Sequence, residues 1–190
     1  MRYVVCITGA SGAIIGFRLI QELLSRDLEV HAVITSNARR VIEAELGESY
    51  SYPTGAFYYE DDDSNASLNS SSFVFKTAVI VPCSLKTLSS IAHGCSHSLT
   101  TRIAENAMRT RAGLIIVPRE TPLSAAALEN MLALRKDGAI IFPPSVAYYH
   151  LPKTVEDITD FFVGKLLDLL SIPNDLYRRW SLNPSGQYKR

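Results

Sequence analysis

No excess of charge of either sign marks this chain: 19 Lys and Arg balance 19 Asp and Glu over 190 residues. There is thus no overall field of the kind that gathers nucleic acid or an anionic membrane surface, and any bound anion must be held by local groups. Cysteine is scarce, with Cys6, Cys83 and Cys95 only, an odd number that fits no disulfide framework. No apolar run approaches the roughly 18–20 residues of a membrane span, and the first residues enter a strand pattern directly instead of a secretory leader. The expectation is a reduced, cytoplasmic protein with no nucleic-acid or membrane partner, in which the Asn-x-Ser triplets at Asn65 and Asn69 carry no glycan.

What is present is apolar and periodic. At 47% hydrophobic residues the chain is long enough for one well-buried domain. Short Val- and Ile-rich runs occur at 2–8, 29–35, 77–83, 113–118 and 138–143. Each is apolar on both faces, as strands of a parallel sheet covered by helices on both sides must be. Helix patterns fall between and after them, at 12–26, 36–46, 84–92, 99–111, 122–136 and 154–171. The alternation predicts an α/β protein with a three-layer Rossmann-like architecture around an open, mainly parallel sheet. The stretch 47–73, with its "EDDDSNASLNSSS", is acidic, serine-rich and aperiodic, and reads as a mobile surface loop.

Ligands of open parallel sheets bind beyond the carboxyl ends of the strands, where helix N-termini favour anions. Those exits read Gly9-Ala10-Ser11-Gly12, Thr35-Ser36-Asn37, Pro82-Cys83-Ser84-Leu85-Lys86-Thr87, Pro118-Arg119-Glu120-Thr121-Pro122 and Pro143-Pro144-Ser145. Ser11, Ser84 and Thr121 are equally what plain helix N-caps look like. A nicotinamide fingerprint requires G-x-G-x-x-G and a carboxylate ending the second strand. Here the glycines are Gly9, Gly12 and Gly16, and the second exit is neutral. A mononucleotide fits better.

With those exits in place, the chain resembles the UbiX-type flavin prenyltransferases from about Tyr3 to Ile172. The residues that carry the resemblance are "TGASGA" (8–13), "PCSLKTLSSIA" (82–92), "TRIAENAMRTR" (101–111), "VPRETPLS" (117–124), "LENML" (128–132), "AYYHLP" (147–152) and "DFFVGKLLD" (160–168). "PCSLKT" with "PRETPL" is the most specific pairing. The resemblance implies one FMN-binding domain over 1–172 and a tail, 173–190, in oligomer contact. It implies a metal-independent transfer of a dimethylallyl group from dimethylallyl phosphate to reduced FMN, with the product passed to a UbiD-type decarboxylase. It also implies a homo-oligomer, the dodecamer among its forms.

Carried over residue by residue, Gly9, Ala10, Ser11, Thr35, Ser84, Leu85, Lys86, Thr87 and Arg119 form the implied FMN site. Glu45 and Glu120 become an acid/base pair, with Ser11 between flavin and leaving phosphate. Tyr149, Lys165 and Arg102 become the prenyl-phosphate site. Each residue also has a plainer physical reading. Lys165 points with the apolar face of its helix, so its ammonium either snorkels to water or meets an anion. The family often has arginine there, and lysine supplies a point charge in place of a fork. Glu45 shares a helix side with Ala38, Val41 and Ile42, or is a helix-end surface residue. Glu120 beside Arg119 is alternatively an ion pair within the loop. Arg102, Glu105 and Arg109 at i, i+3 and i+7 also describe a salt-bridged surface; Arg109 stands where the family has lysine and is not assigned. Tyr148 and Tyr149 either pack an edge or, Tyr149 above all, offer an aromatic face to an allylic cation.

"HGCSH" (93–97) matches no strong zinc spacing, so no metal is expected, and Cys83 reads as a packing residue. Three rivals share parts of the pattern: an FMN-dependent cysteine decarboxylase, a non-catalytic FMN-carrying subunit of a decarboxylase, and a nicotinamide reductase. The first carries a base histidine and a Pro-x-Met-Asn motif, where this chain has "PPSVAYY" (143–149). The third lacks its ribose carboxylate.

Overall fold

The structure, a computed structural model, describes residues 1–180; the part of the tail at 181–190 lies outside the described residues. In chain order the strands are β1 (Arg2–Ile7), β2 (Glu29–Ile34), β3 (Phe57–Glu60), β4 (Thr77–Cys83), β5 (Gly113–Pro118) and β6 (Ile140–Ile141). The helices are α1 (Ala13–Leu24), α2 (Ser36–Leu46), α3 (Leu85–Ala92), α4 (Leu99–Thr110), α5 (Ala125–Lys136) and α6 (Val155–Leu169). These residues form two compact units, Met1–Pro144 and a second that starts at Ser145.

The first unit is built on a six-stranded sheet of order β3-β2-β1-β4-β5-β6, and every neighbouring pair runs parallel. This is the doubly wound order, with its reversal between β1 and β4. Strand residues alternate between faces. Val4, Cys6, Ala78 and Ile80 join Leu88 of α3 and Ile103 of α4 in one buried cluster. On the other face Ile7 meets Gly16 of α1, where an added Cβ would stand 2.6 Å from the Val81 carbonyl oxygen. Burial on both faces is why the strands read as unbroken apolar runs.

Several boundaries moved for local reasons. Ser84 and Ser124 sit outside α3 and α5 as N-caps, their hydroxyls accepting from the Thr87 and Ala127 N–H groups, so Thr121 caps nothing. The helix expected from 12 starts at Ala13 because Gly12 takes the left-handed conformation, φ 96°. The strand expected over 138–143 pairs only at Ile140–Ile141.

The largest correction concerns 47–73. Far from a plain loop, it contains β3, an edge strand parallel to β2, and a 3₁₀ turn at Ser67–Asn69 with Leu68 fully buried. Phe57-Tyr58-Tyr59 have high strand propensity. An edge strand with one half-exposed face lacks the all-apolar signature that found the others.

On the amino-end rim of the sheet the chain returns through tight turns. Asp27, Arg111 and Gly138, with φ of 56°, 60° and 108°, end the passages from α1 to β2, α4 to β5 and α5 to β6.

In the second unit, Thr154 and Asp157 form a capping box at the start of α6. Phe161, Phe162, Val163, Leu166 and Leu167 are buried. The segment after α6 folds back on it: Asn174 Nδ2, Tyr177 Oη and Arg179 all donate to the Asp168 carboxylate.

Candidate active site

Three strand ends are stitched together at the carboxyl rim, next to the sheet's reversal point. The buried Thr8 hydroxyl donates to the Pro82 carbonyl at 2.8 Å and accepts the Ser84 N–H at 2.8 Å. The Arg119 N–H donates to the Cys83 carbonyl at 3.1 Å. The exits of β1, β4 and β5 are thereby fixed against one another. Gly9, in the first exit, has no room for a side chain, since a Cβ there would lie 2.6 Å from Asn37 Cβ in the first turn of α2.

These exits enclose two adjoining clefts that share Gly9 and Ser84. The smaller, about 160 Å³, is polar and is lined by Thr35, Ser36, Lys86, Thr87, Ser98 and Thr101 among others. Three helices begin there. Thr35 caps α2, accepting from Ala38 N at 3.1 Å; Ser84 caps α3; Ser98 caps α4 in a capping box with Thr101. Their positive dipole ends and the exposed Lys86 ammonium converge on one small space, which is what a phosphate requires. Asp61 also borders it, but its Oδ1 accepts the Thr100 N–H at 2.8 Å and its carbonyl accepts the Leu99 N–H at 2.7 Å.

The larger cleft, about 450 Å³, is within the range of small-ligand pockets. Gly9, Ala10, Ser11, Glu45, Ser84, Leu85, Arg119 and Glu120 line it, with Arg40, Val41 and Ala44. Glu45 is oriented by the main chain: the Gly12 N–H donates to its Oε2 at 3.0 Å and its Oε1 at 3.2 Å. Ser11 is not the cap of α1, which is Gly12. Glu120 Oε1 accepts the Thr121 N–H at 3.0 Å. The larger cleft thus lies between the glycine turn and the Arg119-Glu120 loop and adjoins the polar recess.

The residues expected for flavin and for proton transfer therefore share one rim. Those expected for the prenyl phosphate are distributed differently. Arg102 lines a separate cleft with Asp61, Asp62 and Asp63, which shares Asp61, His97 and Ser98 with the polar recess. Its guanidinium donates to Glu105 at 2.9 Å and to the Asn69 carbonyl at 3.2 Å. Glu105 also faces Arg109 at 3.9 Å, so the salt-bridged surface is present. Tyr149 and Lys165 belong to the second unit. Tyr149 packs edge-on against Phe161 and Trp180. Lys165 is half-buried, its Nζ 5.5 Å from the Tyr177 ring centroid.

Cys6 and Cys83 are fully buried, which pushes both thiols well above their usual range. His93 and His97 engage the Ser89 and Cys95 carbonyls through Nδ1.

None of Thr8, Ser98, Asp61 and Arg40 is a site candidate on sequence grounds. Ser98 carried a usable signal, the S-x-x-T pattern ahead of a helix. Asp61 and Thr8 act through long-range bonds that local patterns do not register.

The doubly wound sheet, the glycine turn and the three-helix recess define an α/β mononucleotide-binding protein of flavoprotein type. Comparison with known proteins narrows the class. A family model described as Flavoprotein matches residues 1–167, and the flavin prenyltransferase UbiX of Methanocaldococcus jannaschii is 46% identical over 182 residues, covering 95% of this chain and 98% of the relative. The chain belongs to the flavoprotein family, and within it to the UbiX-type flavin prenyltransferases. Two solved structures are similar at TM-score 0.89 and 36% identity, each over 95% of this chain. One, a dodecameric FMN-dependent UbiX-like decarboxylase from Escherichia coli O157:H7, is covered completely; the other, a UbiX in complex with FMN and dimethylallyl pyrophosphate, is covered over 97%. The peptidyl-cysteine decarboxylase EpiD, at 17% identity and TM-score 0.59, shares the fold alone. Among the described residues no helix is long and apolar enough to cross a membrane.

Proposed function

We propose that this protein transfers a dimethylallyl group from dimethylallyl phosphate to reduced FMN, and that the clefts at the carboxyl rim of its sheet are the place of transfer. The observation that carries this reading is the adjoining pair of clefts. One is a recess where three helix starts and Lys86 meet; the other holds Ser11, Glu45, Arg119 and Glu120 around the glycine turn.

In this reading Thr35, Ser84, Lys86 and Thr87 hold the FMN phosphate. Gly9, Ala10, Ser11, Leu85 and Arg119 seat the ring. Reduced FMN supplies the nucleophilic nitrogen and carbon of its ring system. The bond to nitrogen replaces the allylic C–O bond of the donor, and phosphate departs with its electron pair; the bond to carbon replaces the alkene π bond of the transferred group, whose other carbon takes up a proton while the flavin nitrogen and carbon each release one. Lys165, Tyr149 and Arg102, by their likeness to the family's residues, are assigned to the stabilisation of that developing charge. The Ser11 hydroxyl donates toward the departing phosphate. Glu45, fixed by the Gly12 N–H, and Glu120 act as the acid/base pair that moves protons from the flavin to the alkene carbon and the departing phosphate. Most of the acceleration is orientation and electrostatics.

Two further assignments accompany this reading, the first supported by a relative of known structure. The dodecameric UbiX-like protein favours a homo-oligomer here, with the segment after α6 in its contacts. The product, a modified flavin, is a cofactor for another enzyme, and a UbiD-type decarboxylase is the recipient we assign.

The test is an anaerobic assay with reduced FMN and either dimethylallyl phosphate or the pyrophosphate, read by mass spectrometry of the flavin. A flavin heavier by one dimethylallyl unit, formed faster from the monophosphate, is expected. No mass change with either donor would overturn the reading.

A further inference from the structure

Two cations face the ring of Tyr177, and only one is neutralised. Arg179 lies 5.1 Å from the ring centroid and forms a two-pronged pair with Asp168, at 2.7 and 2.8 Å. Lys165 lies 5.5 Å from the same centroid, and among the described residues it has no ion-pair partner.

The ring itself is immobilised from several sides. Tyr177 Oη donates to Asp168 Oδ2 at 2.6 Å. Its edge lies on the helix backbone beside Lys165: a Cβ at Gly164 would stand 2.5 Å from Tyr177 Cδ1. Asn174 closes the arrangement, donating to the Gly164 carbonyl at 3.2 Å and to Asp168 Oδ1 at 2.9 Å. The Asp168 carboxylate is thus fully engaged, which leaves the Lys165 charge available to an external anion.

We propose that Tyr177 is a positioning residue for the transfer reaction: its ring, clamped by Asp168 and seated on Gly164, fixes the Lys165 ammonium for the phosphate of the prenyl donor. This rests on the reading of Lys165 as a donor-phosphate ligand. A lysine head on a flexible four-carbon stem loses much rotamer freedom on binding. An aromatic face restricts it beforehand without consuming its N–H donors, because cation–π attraction acts through the ring quadrupole. Affinity gained by such preorganisation appears in the KM of the donor.

The test uses the full chain, reduced FMN and dimethylallyl phosphate under anaerobic conditions, with Lys165→Met, Tyr177→Leu, the double variant and Asp168→Asn. Lys165→Met raises the donor KM by about tenfold. Tyr177→Leu raises it by about fivefold, with the KM for FMN unchanged and kcat altered by less than about twofold. In the Lys165→Met background the Tyr177→Leu effect vanishes, because the two act through one interaction. Asp168→Asn, which loosens the ring without removing it, gives an intermediate donor KM.

A Tyr177→Leu effect that persists undiminished without Lys165, or that raises both KM values equally, assigns Tyr177 to folding alone and overturns the proposal. A donor KM untouched by Lys165→Met overturns instead the reading on which it rests. If Tyr177→Leu does not fold, Asp168→Asn decides: an unchanged donor KM refutes the positioning role.

Discussion

Gly12 donates its backbone N–H to both carboxylate oxygens of Glu45, 33 residues away in sequence, at 3.2 and 3.0 Å. The bond joins the last turn of α2 to the turn ahead of α1 and places a carboxylate beside Ser11. Glu45→Gln keeps an oxygen to accept that N–H but removes the charge and the basicity. Product formation should fall about 10²–10⁴-fold, while FMN affinity and thermal midpoint stay close to those of the parent. Activity within about threefold of the parent would remove Glu45 from proton transfer.

Gly9→Ala tests the close approach of the first exit to α2. The new Cβ would fall 2.6 Å from Asn37 Cβ and 3.4 Å from its carbonyl carbon, so the start of α2 must retreat. We expect a loss of about 1–3 kcal/mol in urea unfolding. Weaker FMN binding should accompany it, because the same turn walls the phosphate recess. Unfolding at the parent's midpoint would show that the exit shifts without strain.

The phosphate recess is tested by comparing FMN with riboflavin, which lacks the phosphate. Lys86→Met should weaken FMN by about tenfold at low salt and flatten the dependence of its affinity on ionic strength, leaving riboflavin unaffected. Ser84→Ala removes the acceptor of the Thr87 N–H and should cost about 1 kcal/mol of stability. Equal losses for the two flavins would place the phosphate elsewhere.

The clamp behind α6 carries a pH signature. The Arg179 guanidinium, hydrogen-bonded to Asp168, holds its carboxyl down at about 2, with Tyr177 and Asn174 assisting. An unfolded aspartate titrates near about 3.9. The folded value is the lower one, so this stabilisation is complete above about pH 4 and is lost as the pH falls toward 2. Asp168→Asn should therefore cost roughly 1–2 kcal/mol at neutral pH, and its deficit should shrink in unfolding measurements between about pH 4 and 2. A deficit that does not change across that window would assign the role of Asp168 to packing.

The strands of the sheet were legible because burial on both faces left unbroken runs such as Thr77–Cys83. β3 was not, because Phe57-Tyr58-Tyr59-Glu60 at the edge is half-exposed, and propensity alone separates it poorly from the acidic stretch that follows. In the site, Ser84, Thr35 and Lys86 could be read from their places at strand exits. What could not be read was how they are held. Thr8 bridges residues more than 70 positions away, Asp61 reaches α4 from 39 positions away, and no local period encodes either bond. The helical period puts Lys165 on the side of Phe162 and Leu169, but the ring it meets lies beyond the helix, at Tyr177.

In the first unit, the parallel sheet divides the connections into two sets with different freedom to vary. Every segment that lines the two adjoining clefts leaves from the carboxyl ends of strands or belongs to the helices and loops above them. The turns at Asp27, Arg111 and Gly138 stand at the other rim, exposed and apart from those clefts. A fluorophore, an affinity handle or a surface tether attached at Asp27 would thus leave the clefts of the first unit in place, giving that unit a rim by which to be held.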